Sequence, residues 1–146
     1  MTKIFRFSWL YLIIASSIIF YSFNVQSDKN TKINVQRYGS VIGLRAEKLD
    51  EYKKLHAAVW PEVVKMIHGC NIRNYSIYLK RLDDGNYYLF SYFEYTGSDF
   101  KTDMAKMAAD TITQKWWKVT DPCQKPLTDR KSNEWWASME EVFHQN

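Results

Sequence analysis

The sequence predicts an α+β domain whose elements follow the order β-α-β-β-α-β. Three observations predict it: a hairpin of alternating, aromatic-rich strands over 74–95, a helical stripe at 50–68 ahead of it, and a helical stretch behind it that leads to an alternating C-terminal segment.

Gln36–Leu44 (QRYGSVIGL) sets Val41 and Ile42 among β-branched and aromatic neighbours and reads as the first strand. From Asp50 to His68 the reading is helix, because Tyr52, His56, Val59, Val63 and Ile67 recur at steps of four, three, four and four, all on one stripe. Pro61 falls inside that pattern. It has no N–H for the i−4 carbonyl, so it kinks the helix or starts a second one just after His56. Asn74–Arg81 alternates, with Tyr75, Ile77 and Leu79 on one face and Ser76, Tyr78 and Lys80 on the other. The DDGN at 83–86 has the composition of a hairpin turn, and Tyr87–Tyr95 (YYLFSYFEY) returns as the partner strand. Asp99–Ala109 is helical by content, and Thr111 is expected to cap a further helical segment through Trp116, Trp117 and Val119. Pro122 and Pro126 bracket an irregular stretch. Glu134–His144 tolerates helix by content, but its alternation also allows a strand. Taken as a strand it completes the ferredoxin-like order, in which right-handed crossovers put both helices on one face of the sheet. The opposite, aromatic face needs a cover, and a second copy of the chain is the expected one, making a homodimer.

The 146 residues amount to one domain's worth of chain. Their formal charge of +4 is spread without a Lys/Arg block, which argues against a nucleic-acid partner. Three His and two Cys, with no CxxC or HExxH, give no support to a metal site, and five Gly without GxGxxG give none to a phosphate cradle. The 16% aromatic content exceeds what a small core requires and suits a flat or sugar-like ligand. Lys3 and Arg6 precede an uncharged run from Phe7 to Phe23 and a polar exit, so residues 1–30 read as a signal peptide or an uncleaved N-terminal anchor, with 31–146 as the exported domain. Periplasmic location follows as the expectation, with membrane contact only through that segment if it stays. Export permits a Cys70–Cys123 disulfide; two free, partly buried thiols are the equal alternative.

Among the candidate functional residues, His56 is the acid/base choice, since imidazole titrates near neutrality and both donates and accepts a proton; a packed core histidine is the competing reading. Tyr52 and Tyr75 bring hydroxyls for a sugar and rings for its C–H face, or are core tyrosines. Adjacent Trp116 and Trp117 diverge by about 100° on a helix, so one packs inward and the other lines a different surface. Trp135-Trp136 repeats the argument, with an interface role as good. Asp103 and Asp110 fit helix capping or solvation better than catalysis.

Tyr52-x3-His56-x3-Trp60-Pro61-Glu62, Asn74-Tyr75-x-Ile77-Tyr78-Leu79, Trp116-Trp117 and Glu141-Val142-Phe143, in order from about Tyr38 to His144, resemble the motif series of the L-rhamnose mutarotase family. The resemblance implies a dimeric α/β barrel, interconversion of the α and β anomers of a 6-deoxyhexose, and no cofactor or metal. It makes His56 the proton donor and puts Tyr52, Tyr75, Trp116 and Trp117 against the sugar, with a water or Tyr75 as the second acid/base group. Where rhamnose enzymes commonly carry an Asn-Pro-like pair this chain has Ala57-Ala58-Val59, which leaves L-fucose as the alternative substrate. Two other classes compete: a dimeric α/β-barrel monooxygenase, because fold alone does not fix chemistry, and a periplasmic sugar-binding or interaction module.

Overall fold

The computed structural model describes residues 35–145; the leader expected over residues 1–30 lies outside them. The elements are strand β1 (Gln36–Leu44), helices α1 (Leu49–Ala57) and α2 (Pro61–Gly69), strands β2 (Ile72–Arg81) and β3 (Tyr87–Tyr95), helices α3 (Phe100–Ala109) and α4 (Thr111–Thr120), and short strands β4 (Gln124–Lys125) and β5 (Ala137–Met139). They build one antiparallel sheet in the order β2-β3-β1-β4, with β5 also on β1. This is the ferredoxin-like order, its fourth position shared by two pieces. β5 pairs with Gly39–Val41 and β4 with Gly43–Leu44. The strand expected over Glu134–His144 is therefore cut to Ala137–Met139, and residues 140–145 have no regular structure. At the start of the segment Trp135 and Glu134 find no partner edge, because β4 already pairs with Gly43 and Leu44, the β1 residues they would face.

The helix expected from Asp50 to His68 is two helices. Trp60 is extended (φ −60°, ψ 131°), as a residue before proline prefers, and Pro61 opens α2 at a position whose N–H needs no partner. Asp110, not Thr111, caps α4, its carboxylate accepting the Thr113 N–H at 2.7 Å. Asp99 does the same for α3 through the Thr102 N–H. The hairpin turns at Gly85, which takes φ +80°.

Strand register decides what faces what. Tyr38, Ser40, Ile42 and Leu44 stand opposite Phe93, Ser91, Leu89 and Tyr87 and share one face of the sheet. On that face Ile42, Leu44 and Leu89 pack with Tyr52 of α1 and with Cys123, and Leu49, Leu55, Ile77, Leu79 and Trp136 close around them. The other face shows Tyr78 of β2, 64% exposed, and, across β3 and β1 on β5, Met139 at 41%. Cys70 and Cys123 are both buried and free; Cys70 rests on the Met66 sulfur and Cys123 on the Val119 carbonyl.

A polar knot ties the hairpin end to α3. Fully buried Tyr95 gives its hydroxyl hydrogen to Asp103 Oδ2 at 2.7 Å and accepts the Asp99 N–H, while Asn71 Nδ2 donates to the same carboxylate at 2.8 Å. These two donors, first Asn71 and then Tyr95, hold the Asp103 carboxyl below its ordinary value. The carboxylate therefore stabilises the fold above the unfolded value of 3.8 and loses that contribution as pH falls through the lower folded value. Urea midpoints of wild type and Asp103→Asn are expected to differ clearly at pH ~7 and to converge at pH ~2. A gap that persists unchanged in acid would show that the charge is not what holds the knot.

Candidate active site

Four residues apart on α1, Tyr52 and His56 lie one above the other, and their rings stack at 4.0 Å with an interplanar angle of 27°. His56 Nδ1 lies 3.1 Å from the Tyr52 carbonyl oxygen. A carbonyl only accepts, so Nδ1 carries hydrogen and the neutral ring keeps its lone pair on Nε2. Trp116 comes down from α4 and meets His56 edge-on at 5.4 Å; Trp60, in the break between α1 and α2, meets Trp116 at 5.3 Å and 70°. The histidine is thus held between a phenol ring and an indole. Burial lowers its pKa, and the bond to the Tyr52 carbonyl opposes that in part, so the neutral form dominates at pH 7.

Tyr75 reaches the same group from the sheet. Two residues of β2, Asn74 and Tyr75, stand against the single Phe93 of β3, a bulge that Asn74 makes by adopting φ +49°. Asn74 Nδ2 fixes it by donating to Glu94 at 2.7 Å. The bulge resets the alternation so that Ile72 and Tyr75 both face the helices, where the Tyr75 ring meets Phe93 edge-on at 5.7 Å. Tyr75 shows 43% of its surface, yet dense protein around its hydroxyl pushes the phenol up to about 12. Burial raises the Tyr52 phenol further still, and Tyr75 adds to the effect. Both phenols keep their protons at neutral pH and are hydrogen-bond donors, not bases.

The five expected site residues are thus not equivalent. Tyr52, His56 and Trp116 are in contact and Tyr75 stands near Tyr52; Trp117, 37% exposed, makes no ring contact with them. The divergence expected for adjacent tryptophans places Trp116, 6% exposed, as the inward one. Trp60, for which the sequence alone suggests no role, is brought to Trp116 by its extended pre-proline backbone. Asp103 and Asp110 serve the knot and the α4 cap. Among the described residues no cluster of three or more His, Cys, Asp or Glu could hold a metal ion. An open depression of about 390 Å³ on α1, lined by Glu51, Lys54, Leu55 and Ala58, involves none of these groups.

An imidazole with one nitrogen pinned and the other free, beside two phenols that remain protonated and two indoles, suits proton transfer on a neutral polyol. The family model for L-rhamnose mutarotase matches residues 37–145. The chain belongs to the L-rhamnose mutarotase family. The family's relatives span nearly the whole described domain: the L-rhamnose mutarotase of Oceanobacillus iheyensis is 34% identical over 110 residues, covering 75% of this chain and 98% of its own. That of Listeria monocytogenes is 36% identical over 91 residues, 62% and 82% of the two chains. Among solved structures, the L-rhamnose mutarotase of Formosa agariphila superposes with a TM-score of 0.57 at 22% identity, covering 76% of this chain and 99% of its own. Tetracenomycin F2 cyclase of Streptomyces glaucescens gives 0.54 at 10% identity, over 76% and 97%. These two likenesses concern the fold, which matches the ferredoxin-like reading; the second carries a different chemistry on it. Ala57-Ala58-Val59, the departure from the rhamnose mutarotase pattern, falls on the end of α1 and the turn to α2, one residue beyond His56.

Proposed function

We propose that this chain is an L-rhamnose mutarotase that opens and recloses the pyranose ring with His56 as its proton carrier. The observation that carries the reading is the half-buried histidine whose Nδ1–H is spent on the Tyr52 carbonyl. Ring opening moves one proton from the anomeric oxygen O1 to the ring oxygen O5. Neutral Nε2 takes the proton from O1; C1=O forms as C1–O5 breaks, and O5 leaves with the electron pair and collects the proton from the imidazolium. Both oxygens sit on C1, so one nitrogen serves both. The aldehyde then turns about C1–C2 and the steps reverse on its other face. The proton-donor role implied by the family resemblance is thereby the second half of a shuttle. The raised Tyr75 phenol counts against it as the base and favours Tyr75, with Tyr52, as a donor to sugar hydroxyls. Trp116 packs behind the histidine, and Trp117 is the indole left for the sugar's apolar face or C6 methyl.

The test is saturation transfer between the α and β anomeric protons of equilibrated L-rhamnose, with L-fucose as a second arm. Exchange faster than the buffer rate with L-rhamnose is expected; the relatives' names put this sugar first, and faster exchange with L-fucose would reverse the order. No acceleration with either would sink the catalytic reading and favour a binding module. Homodimerisation through the exposed sheet face carrying Tyr78 and Met139 belongs to the same proposal, and sedimentation at the monomer mass would refute it. So does export directed by residues 1–30, which recovery of the protein in the cytosolic fraction alone would refute.

A further inference from the structure

We propose that Gln124 is a specificity-determining residue that donates to a sugar hydroxyl beside Tyr52, and that Trp135 fixes its amide in the orientation this requires. The assignment rests on the mutarotase reading above and names a contact which that reading does not include.

Gln124 lies on β4 directly opposite Leu44 of β1, so its side chain shares the helix-covered face of the sheet with Leu44, Tyr52 and Leu89. It is 5% exposed, a neutral amide set among apolar neighbours. Such a group has to be hydrogen-bonded on both ends. One end is accounted for: the Trp135 indole N–H donates to Gln124 Oε1 at 2.7 Å. An indole nitrogen can only donate, so this bond settles which end of the amide is oxygen and makes Nε2, with its two hydrogens, the donor end. Next to this amide is the Tyr52 hydroxyl, whose oxygen takes a hydrogen bond from one of the two amide hydrogens, a bond that works against the burial that raises the phenol. Tyr52 is 4% exposed, and its hydroxyl hydrogen has no acceptor among the described residues.

The phenol O–H and the second amide hydrogen, side by side, are two donors, each wanting an acceptor. Adjacent hydroxyl oxygens of a pyranose supply two acceptors at the matching spacing, and the same hydroxyls return hydrogens elsewhere. An apolar or aromatic ligand supplies none. The ligand class this pair selects is therefore a vicinal diol, and the stereochemistry of that diol is what Gln124 reads. Trp135, 46% exposed, sits at the outer end, where its ring holds the amide and remains open to solvent.

The experiment measures anomer exchange by full-length wild type, Gln124→Leu and Trp135→Phe on L-rhamnose and on its singly deoxygenated analogues. Gln124→Leu keeps the volume and removes the donor; Trp135→Phe keeps a ring and removes the N–H that orients the amide. For L-rhamnose we expect kcat/KM to fall about tenfold in Gln124→Leu, mainly through KM, with a smaller loss of the same kind in Trp135→Phe. One deoxy analogue should be slow with wild type yet no slower with Gln124→Leu, because a missing hydroxyl cannot lose its donor twice. If Gln124→Leu does not fold, Trp135→Phe, altered at a half-exposed position, carries the same readout. Wild-type acceleration with losses of equal size on every analogue would overturn the role of Gln124 alone. No acceleration by wild type would overturn this proposal together with the mutarotase reading.

Discussion

Replacing His56 with Ala is expected to remove most of the acceleration of L-rhamnose anomer exchange, by about 10²–10⁴-fold, while the protein stays folded. The loss is large because the two phenols beside the imidazole do not change protonation at neutral pH. Tyr75 is pushed up to about 12 and Tyr52 higher still, so neither replaces the imidazole. Folding survives because His56 is only half-buried and its ring contacts, Tyr52 and Trp116, also pack against other partners. Circular dichroism and a thermal midpoint within a few degrees of wild type are the control, and collapse of both would make the histidine structural. The pH profile of wild type gives the second half of the test. A base must be deprotonated to act, and burial lowers the histidine from its ordinary 6.5. Wild-type kcat/KM should therefore rise with pH through a value below 6.5 and stay level above neutrality. A profile that falls across that range would mean that the imidazolium, not the neutral ring, starts the reaction.

Gly97→Ala is expected to be the most damaging single methyl that can be added to the loop between β3 and α3. A Cβ built there would stand 2.5 Å from Cζ of the Tyr95 ring and 2.9 Å from Asn71 Nδ2. Neither neighbour can step aside. Tyr95 is fully buried and its hydroxyl is committed to Asp103 and Asp99, and Asn71 is committed to Asp103 and holds φ +59°. Overpacking of this kind costs typically 1–3 kcal/mol, and here the displaced ring also breaks the bonds that tie the hairpin to α3. A fall in urea midpoint corresponding to about 3 kcal/mol or more is the expected result. An unchanged midpoint would show that the loop accommodates the methyl by moving away from Tyr95.

What the sequence reveals of the site follows from how local each feature is. Tyr52 and His56 are legible because both belong to one stripe of one helix, where a spacing of four guarantees contact. The divergence of Trp116 from Trp117 is legible for the same reason, and Pro61 announces the break that carries Trp60. Gln124 is not legible. It sits between Pro122 and Pro126 in a stretch without periodicity, and its environment exists only once β4 pairs with Leu44 and Trp135 returns to it. The bulge at Asn74 is hidden too, since strict alternation already puts Tyr75 and Ile77 on one face and gives no hint that Ile72 joins them. The C-terminal strand is overestimated because alternation measures what a segment tolerates, whereas pairing also needs an open edge, and β4 already holds the Gly43 and Leu44 that Trp135 and Glu134 would need.

The shared fourth position of the sheet bears on how such a protein can diversify. Two short strands grip β1 at Gly43–Leu44 and at Gly39–Val41, and residues 126–136 leave the sheet between them. Both ends of that excursion are anchored on the same strand, so its length is nearly free: doubling a loop costs only about 0.6 kcal/mol in closure entropy. Insertions and deletions there can be sampled without disturbing the register of the rest of the sheet or the helix that carries His56. The same excursion ends at Trp135. A change of length in one loop can thus alter the surroundings of the Gln124 amide while the helix pair around His56 stays as it is.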